Sequence, residues 1–126
     1  MIRSIDHVVI TTSDLEACTA FYTRVLGMAL ERFGEGRLAL SFGEQKINLH
    51  LKGREFEPRA EVPTPGSLDL CFIAAIPLDE VIARLQAAKV AIIEGPVMKT
   101  GARWPIRSVY VRDPDRNLVE ISEKAG

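Results

Sequence analysis

The fold is decided in the segment Ile5–Glu16, IDHVVITTSDLE, where a short β-branched run leads straight into a helix start. The run Ile5–Ile10 is typical of a strand, and Ser13 and Glu16 can satisfy each other's backbone amides as a capping box. Apolar residues then recur at helical spacing as far as Leu26, and Gly27 stands where a left-handed C-terminal cap is expected. The segment predicts a strand followed directly by a helix.

The same order of elements is predicted twice along the chain. After the first helix come three apolar runs separated by glycine turns, which predict the strands Met28–Phe33, Arg37–Phe42 and Ile47–Leu51. The second half repeats this pattern with a strand at Leu68–Ile73, a helix that begins near Pro77, and strands at Ile92-Ile93, Ile106–Arg112 and Leu118–Ser122. Each half is predicted to have the element order β-α-β-β-β, and aligning the two halves places His7 at the position of Asp69.

We therefore expect one α+β domain, residues 1–126, built from two modules. Module 1 covers about 1–52 and module 2 about 67–126. The segment 53–66 between them is polar and carries Pro58, Pro63 and Pro65, so we interpret it as the linker.

Composition excludes several classes of function. The formal net charge is −1 and both signs are scattered along the chain, which argues against nucleic-acid or anionic membrane partners. No apolar run approaches the ~20 residues of a membrane span, and Asp6 and His7 stand where a signal peptide would be apolar. We interpret Cys18 and Cys71 as buried free thiols, which predicts a cytoplasmic protein.

Strand alternation separates an apolar face from a polar one in each half. The apolar face is expected to lie under the helix, which leaves His7, Asn48 and His50 together on the opposite face of the first module. The same parity in the second module places on the opposite face Asp69, Cys71, Ser108, Tyr110, Glu120 and Ser122. Both histidines of the chain thus share this location with carboxylates.

Imidazoles and carboxylates form a donor set that suits a divalent ion such as zinc, nickel, manganese or iron(II). Taken singly, each residue also has an ordinary structural explanation, such as a hydrogen bond from His7 to Asp6. The combination of His7, His50, Asp69 and Glu120 at matching positions of two modules is what predicts a metal site.

The segment Gly95–Pro105 holds two cations, the only tryptophan and several turn-forming residues. One interpretation is a mobile flap over a pocket, with Lys99 and Arg103 meeting an anionic substrate and Trp104 covering it. The other is a solvated loop with an aromatic plug.

Three stretches resemble the vicinal oxygen chelate superfamily, also called the glyoxalase/bleomycin resistance/extradiol dioxygenase fold. They are Asp6–Ile10, the FYTRVLGM of Phe21–Met28, and the RDPDRNLVEI of Arg112–Ile121. The resemblance spans essentially the whole chain and is greatest to small glyoxalase domain-containing and virulence-associated proteins. It implies two βαβββ modules whose curved mixed sheets enclose a metal-centred cavity, and a homodimer.

The resemblance also implies ligand positions. His7 matches the first-strand ligand, His50 lies at or next to the fourth-strand position, and Glu120 matches the final glutamate. A register shift of two would substitute Asn48 for His50. Asp69 occupies the fifth-strand position, where histidine is more usual, and Arg116 stands where glycine is common.

The function implied is that of a glyoxalase-like metal-dependent enzyme. Its small-molecule substrate would bind a divalent metal through two vicinal oxygens, as in a lactoylglutathione lyase-like isomerase or an extradiol dioxygenase. Asp69 would act as fourth ligand or general base and Glu120 as a catalytic ligand, while Asn48, Ser108 and Tyr110 would bind substrate. The alternative is a protein of the bleomycin-resistance type that sequesters a ligand without catalysis.

Overall fold

The computed structural model describes residues 1–126 and contains eight strands and two α-helices. Their order is β1 (His7–Thr12), α1 (Leu15–Ala20), β2 (Ala29–Phe33), β3 (Arg37–Phe42), β4 (Gln45–Leu51), β5 (Asp69–Ile73), α2 (Leu78–Ala87), β6 (Glu94–Thr100), β7 (Pro105–Arg112) and β8 (Leu118–Lys124). A π-helical turn, Phe21–Val25, follows α1. None of the helices is long and apolar enough to cross a membrane.

The chain divides into two compact units, unit 1 (Met1–Ser67) and unit 2 (Leu68–Gly126). Unit 1 contains a four-stranded sheet in the order β1-β4-β3-β2, and unit 2 one in the order β5-β8-β7-β6. In both units the first strand runs parallel to the last, and the remaining pairs are antiparallel. The predicted α+β class and the repeated βαβββ module are confirmed.

One face of each sheet is packed with the helix of its unit. In unit 1 the buried side chains Ile10, Ile47 and Leu49 alternate along the strands with side chains on the opposite face. The helix α1 and its π-helical turn bury Cys18 and Tyr22. In unit 2 the buried residues on that face include Val109, Val111, Val119 and Ile121, and α2 buries Leu78, Val81 and Leu85. We call the opposite face of each sheet its far face. Apolar burial thus fixes which side chains the far face carries.

The start and end of the first helix differ from the prediction. Asp14, not Ser13, is the N-cap, and its carboxylate accepts a hydrogen bond of 3.0 Å from the Ala17 amide. The α-helical ladder ends at Ala20, and the amide of Leu26 bonds to the carbonyl of Phe21, five residues earlier. Periodicity cannot show this widened turn, because one extra residue only shifts the apolar stripe. The predicted cap at Gly27 is confirmed by its φ of +78°.

The second unit departs from the prediction at its first antiparallel strand. Ile92 and Ile93 precede the strand, which occupies Glu94–Thr100 and pairs with β7 through a bulge between Glu94 and Val97. Most of the predicted flap is therefore an edge strand, and only residues 101–104 form the turn to β7. The two glycines and two prolines of this region suggested a loop, but an edge strand tolerates proline because one side of its backbone is unpaired.

The turn between β7 and β8 is fixed by two buried side chains. The Asp113 carboxylate accepts hydrogen bonds from the Asp115 amide at 3.0 Å, the Asn117 amide at 2.9 Å and the Asn117 side chain at 2.8 Å. The side-chain oxygen of Asn117, Oδ1, then accepts a bond of 2.9 Å from the Leu68 amide at the start of unit 2. Arg116 adopts a φ of +74°, which explains why a glycine suits this position.

Candidate functional site

The far face of unit 1 carries all the polar candidates predicted there. The β1–β4 register places Lys46 beside His7, Asn48 beside Val9 and His50 beside Thr11. His7, Asn48 and His50 therefore share one face, as alternation predicts. His7 and His50 are separated by four positions along the strands, about 13 Å, so Asn48 is the nearer diagonal neighbour of His7.

His7 lies at the exposed start of β1 and is oriented by its neighbour. Its Nδ1 is 2.8 Å from Asp6 Oδ1, and the side chain is 41% exposed. A carboxylate on one ring nitrogen fixes the orientation of the ring and leaves Nε2 for another partner. The hydrogen bond to Asp6 and the proposed role as a metal ligand are thus compatible, because the first uses Nδ1 of His7 and the second would use Nε2.

Asn48 and His50 are buried although they lie on the far face. Asn48 is 6% exposed and His50 3% exposed, and neither Asn48 Oδ1 nor His50 Nε2 has a hydrogen-bond partner. Desolvation lowers the pKa of His50, and the charge of Arg37 lowers it further. Buried polar atoms without partners are uncommon in folded proteins, which marks these two as candidates for ligand contact.

The far face of unit 2 carries a hydrogen-bonded series of small polar groups. Ser108 and Ser122 hydroxyls are 2.7 Å apart, and the Cys71 thiol lies 3.3 Å from Ser122 Oγ. Ser122 also donates a bond of 3.5 Å to the Glu120 carboxylate. Ser108 therefore does not point into open space as a free substrate contact but sits at the buried end of this series, with 0% exposure.

Glu120 is next to Tyr110 on the neighbouring strand, because the β7–β8 register pairs the two residues. Desolvation and the charge and hydrogen bond of Glu120 raise the pKa of Tyr110 to about 12. Asp69 is exposed and pairs with Leu118, which makes Glu120 its diagonal neighbour. Asp69, Tyr110 and Glu120 are thus brought together within unit 2.

The remaining predicted substrate-binding residues lie at the edge of unit 2. The Lys99 ammonium is 3.5 Å from the Glu94 carboxylate and 5.6 Å from the centre of the Tyr110 ring. Trp104 is 39% exposed, with the Arg103 guanidinium 5.2 Å and the Lys124 ammonium 4.4 Å from its ring. Lys99 joins the Tyr110 group, whereas Arg103 and Trp104 form a separate cation–aromatic pair.

No group of three or more histidine, cysteine, aspartate or glutamate side chains lies close enough together to hold a metal ion. Each unit does contain one diagonal pair, which is a first-strand residue and the last-strand residue two positions beyond its direct partner. In unit 1 the pair is His7 with Asn48, because His7 lies opposite Lys46. In unit 2 it is Asp69 with Glu120, because Asp69 lies opposite Leu118. The same geometry thus recurs at the start of both sheets.

Sequence reasoning missed several members of these faces. Phe56, in the segment interpreted as a linker, lies with its ring centre 5.9 Å from that of His50. Arg37 lies on the same face of the sheet as His50, and strand alternation was the signal that could have found it. Cys71 is exposed rather than buried, because it too faces away from α2.

The family model of the Glyoxalase/Bleomycin resistance protein/Dioxygenase superfamily matches residues 4–121. The chain belongs to this superfamily. It is 55% identical over 96% of its length to glyoxalase domain-containing protein RDO1 of Mycosarcoma maydis, of which it covers 68%. The crystal structure of virulence protein STM3117 from Salmonella typhimurium is 50% identical, with a TM-score of 0.97 and 99% of both chains covered.

A more distant member of the superfamily has a named activity. The crystal structure of lactoylglutathione lyase from Agrobacterium tumefaciens is 25% identical, with a TM-score of 0.75, and the match covers 98% of this chain and 95% of that one. The resemblance predicted from Phe21–Met28 and Arg112–Ile121 is therefore confirmed at the level of the superfamily.

The thiol of Cys71 provides a first measurable consequence of this geometry. Partial desolvation of the thiol raises the pKa of Cys71, and the Glu120 charge raises it further, so the reactive thiolate is scarce at pH 8. We expect iodoacetamide to label Cys71 more slowly than free cysteine, and the Glu120→Gln variant to label faster than wild type. Peptide mass mapping distinguishes Cys71 from buried Cys18. A Glu120→Gln protein that labels no faster than wild type would contradict the contact.

Proposed function

We propose that this chain is a glyoxalase-like metal-dependent enzyme. Its substrate is a small molecule with two vicinal oxygens that bind a divalent metal bidentately, in a reaction of the lyase/isomerase or dioxygenase type. The observation that supports this most directly is the repeated diagonal pair, His7 with Asn48 and Asp69 with Glu120. The likeness to a lactoylglutathione lyase supports the same reaction class.

The side chains of unit 1 fit a metal in their donor chemistry. Asp6 occupies Nδ1 of His7, which is the arrangement that prepares a histidine to bind a metal through Nε2. Asn48 supplies a buried carbonyl oxygen that has no other partner. One imidazole nitrogen and one amide oxygen are ligands that zinc, nickel, manganese and iron(II) all accept.

The register favours Asn48 over His50 as the fourth-strand ligand. Asn48 occupies in unit 1 the position that Glu120 occupies in unit 2, two residues beyond the partner of the first-strand residue. His50 is two positions farther along the strand. The proposed ligands are therefore His7, Asn48, Asp69 and Glu120, whichever copy of the chain supplies each pair.

In unit 2 hydrogen-bond donors on neighbouring side chains orient the Glu120 carboxylate. Ser122 donates to one oxygen, and the Tyr110 hydroxyl, which stays protonated far above neutral pH, is available to donate to the carboxylate or to a substrate oxygen. Asp69 is exposed and carries no such contact, so it has two alternative roles: it is the fourth ligand, or it stays off the metal and moves a proton as general base. A bound metal would supply Lewis acidity that stabilises negative charge developing on the substrate oxygens.

Calorimetric titration of chelator-stripped wild-type protein with zinc, nickel and manganese tests the proposal. We expect saturable binding of at least one of these ions, and metal in protein purified without chelator or a metal-affinity step. Absence of saturable binding for all three would overturn the metal-dependent function and leave the ligand-sequestering alternative.

A further inference from the structure

Three side chains on the far face of unit 1 form a group that the metal hypothesis does not use. They are Arg37, His50 and Phe56. The ring of Phe56 lies 4.8 Å from the Arg37 guanidinium carbon and has its centre 5.9 Å from the His50 ring centre. Continuing the β3–β4 register by one position beyond Leu38 and Leu49 brings Arg37 opposite His50. One phenyl ring therefore covers a cation and an imidazole on neighbouring strands.

The imidazole in this group has an unmet hydrogen bond. His50 is 3% exposed, and its Nε2 has no hydrogen-bond partner. Leaving such an atom unpaired inside a protein is destabilising, so a ligand that hydrogen-bonds to it gains affinity by satisfying it. Since Asn48 takes the fourth-strand position in the metal hypothesis, His50 is available for another partner.

Arg37 is a cation without a carboxylate partner. It makes no ion pair, and its guanidinium lies over two rings, 5.1 Å from the centre of Phe33 and 4.8 Å from that of Phe56. Stacking holds the plane of a guanidinium while leaving its N–H groups along the edge free, and these N–H groups match the two oxygens of a carboxylate. The two rings thus restrict the position of the Arg37 guanidinium, whose N–H groups form a two-pronged fork, before any ligand binds.

Two acidic side chains near Arg37, His50 and Phe56 limit the negative charge of a ligand that can bind there. Glu55 and Glu57 flank Phe56, whose ring contacts His50, and their charges raise the pKa of His50 whereas that of Arg37 lowers it. Glu57 is paired with Arg59 at 3.0 Å, and Glu55 accepts a bond of 3.2 Å from the Gly53 amide. Their presence favours a singly charged carboxylate over a doubly charged phosphate, because repulsion grows with the charge of the ligand.

We propose that Arg37 and His50, with Phe56 and Phe33 as walls, form a subsite for the carboxylate of a flat organic acid. The guanidinium holds the two oxygens, Nε2 of His50 hydrogen-bonds one of them, and the phenyl rings contact the flat body of the ligand. The inference goes beyond the proposed metal chemistry and requires no metal, since all four residues belong to unit 1.

The test is an amide NMR titration of the wild-type chain with benzoate in the presence of a chelator. Benzamide, which has the same shape without the charge, and inorganic phosphate are the comparison probes. We expect benzoate to give saturable shifts at Arg37, His50 and Phe56, and to bind about tenfold or more tightly than either comparison probe. Equal binding of benzamide, or binding of phosphate in place of benzoate, would overturn the assignment.

Two arginine variants provide the matched comparison. Arg37→Gln removes the fork and should weaken benzoate about tenfold or more, whereas Arg32→Gln should leave it unchanged. Arg32 is exposed and lies next to Phe33 with the opposite strand parity. Equal affinities of these two variants for benzoate would refute the subsite.

A second variant keeps the test independent of any folding defect. His50→Gln retains a hydrogen-bonding side chain and is expected to bind benzoate more weakly than wild type but more tightly than Arg37→Gln. Amide dispersion of each variant reports its fold directly. Because the chelator is present throughout, a failure of metal binding leaves these outcomes intact, and a failure of benzoate binding leaves the metal titration intact.

Discussion

Glu120→Gln is expected to lower the affinity of the chain for its preferred divalent metal by about 100-fold or more. The substitution keeps the shape of the side chain and removes the charged oxygen that a metal binds. Val119 and Ile121 face the helix and are at most 5% exposed, so they continue to hold β8 in the core. Calorimetric titration of chelator-stripped proteins measures the loss, and His7→Ala should show a similar one.

The matched control for this variant is Glu94→Gln. Glu94 pairs with Tyr110 from the edge strand, so it borders the same tyrosine without occupying a repeated ligand position. Glu123 is less suitable, because its carboxylate accepts a 2.7 Å bond from the Leu78 amide at the start of α2 and also contacts Arg107. If Glu120→Gln binds metal as tightly as Glu94→Gln, Glu120 is not a ligand.

Asp113→Ala is expected to destabilise the chain by about 3 kcal/mol. The change removes three hydrogen bonds at a residue that is 3% exposed and leaves two amides and the Asn117 side chain without their acceptor. Urea denaturation gives the free energy of unfolding. Hydrogen exchange at the Leu68 amide, which Asn117 holds, should accelerate in the same variant.

A surface aspartate provides the comparison for this stability change. Asp79 pairs with Arg107 at 3.1 Å but is 83% exposed, so Asp79→Ala should cost no more than about 1 kcal/mol. Should the two variants unfold at the same urea concentration, the buried turn contributes no more than a surface ion pair.

Local pattern was sufficient for most of the fold. Alternation assigned Val8, Ile10 and Ile47 to the helix side and Asn48 and His50 to the far face, because burial of apolar area leaves no other register open. The repeat of the module was visible for the same reason. Pattern could not locate β6, since an edge strand with Pro96 and a bulge carries the composition of a loop.

The site was less predictable than the fold, because its contacts join residues far apart in sequence. Parity placed Glu120 and Tyr110 on one face, but the series Cys71, Ser122, Ser108 depends on the register of three strands. The contact of Phe56 with His50 depends on the path of a segment without strands or helices, for which sequence has no periodic signal. Which of Asn48 and His50 matches Glu120 also required the observed register.

The position of Phe56 changes how the stretch between the two repeats is to be understood. Phe56 belongs to the segment 53–66, yet its ring covers both His50 and Arg37. Residues there are free of the alternation that constrains the sheet, so they tolerate substitution more readily than strand residues do. A different side chain in place of Phe56 would therefore change a wall of the proposed carboxylate subsite without altering any strand.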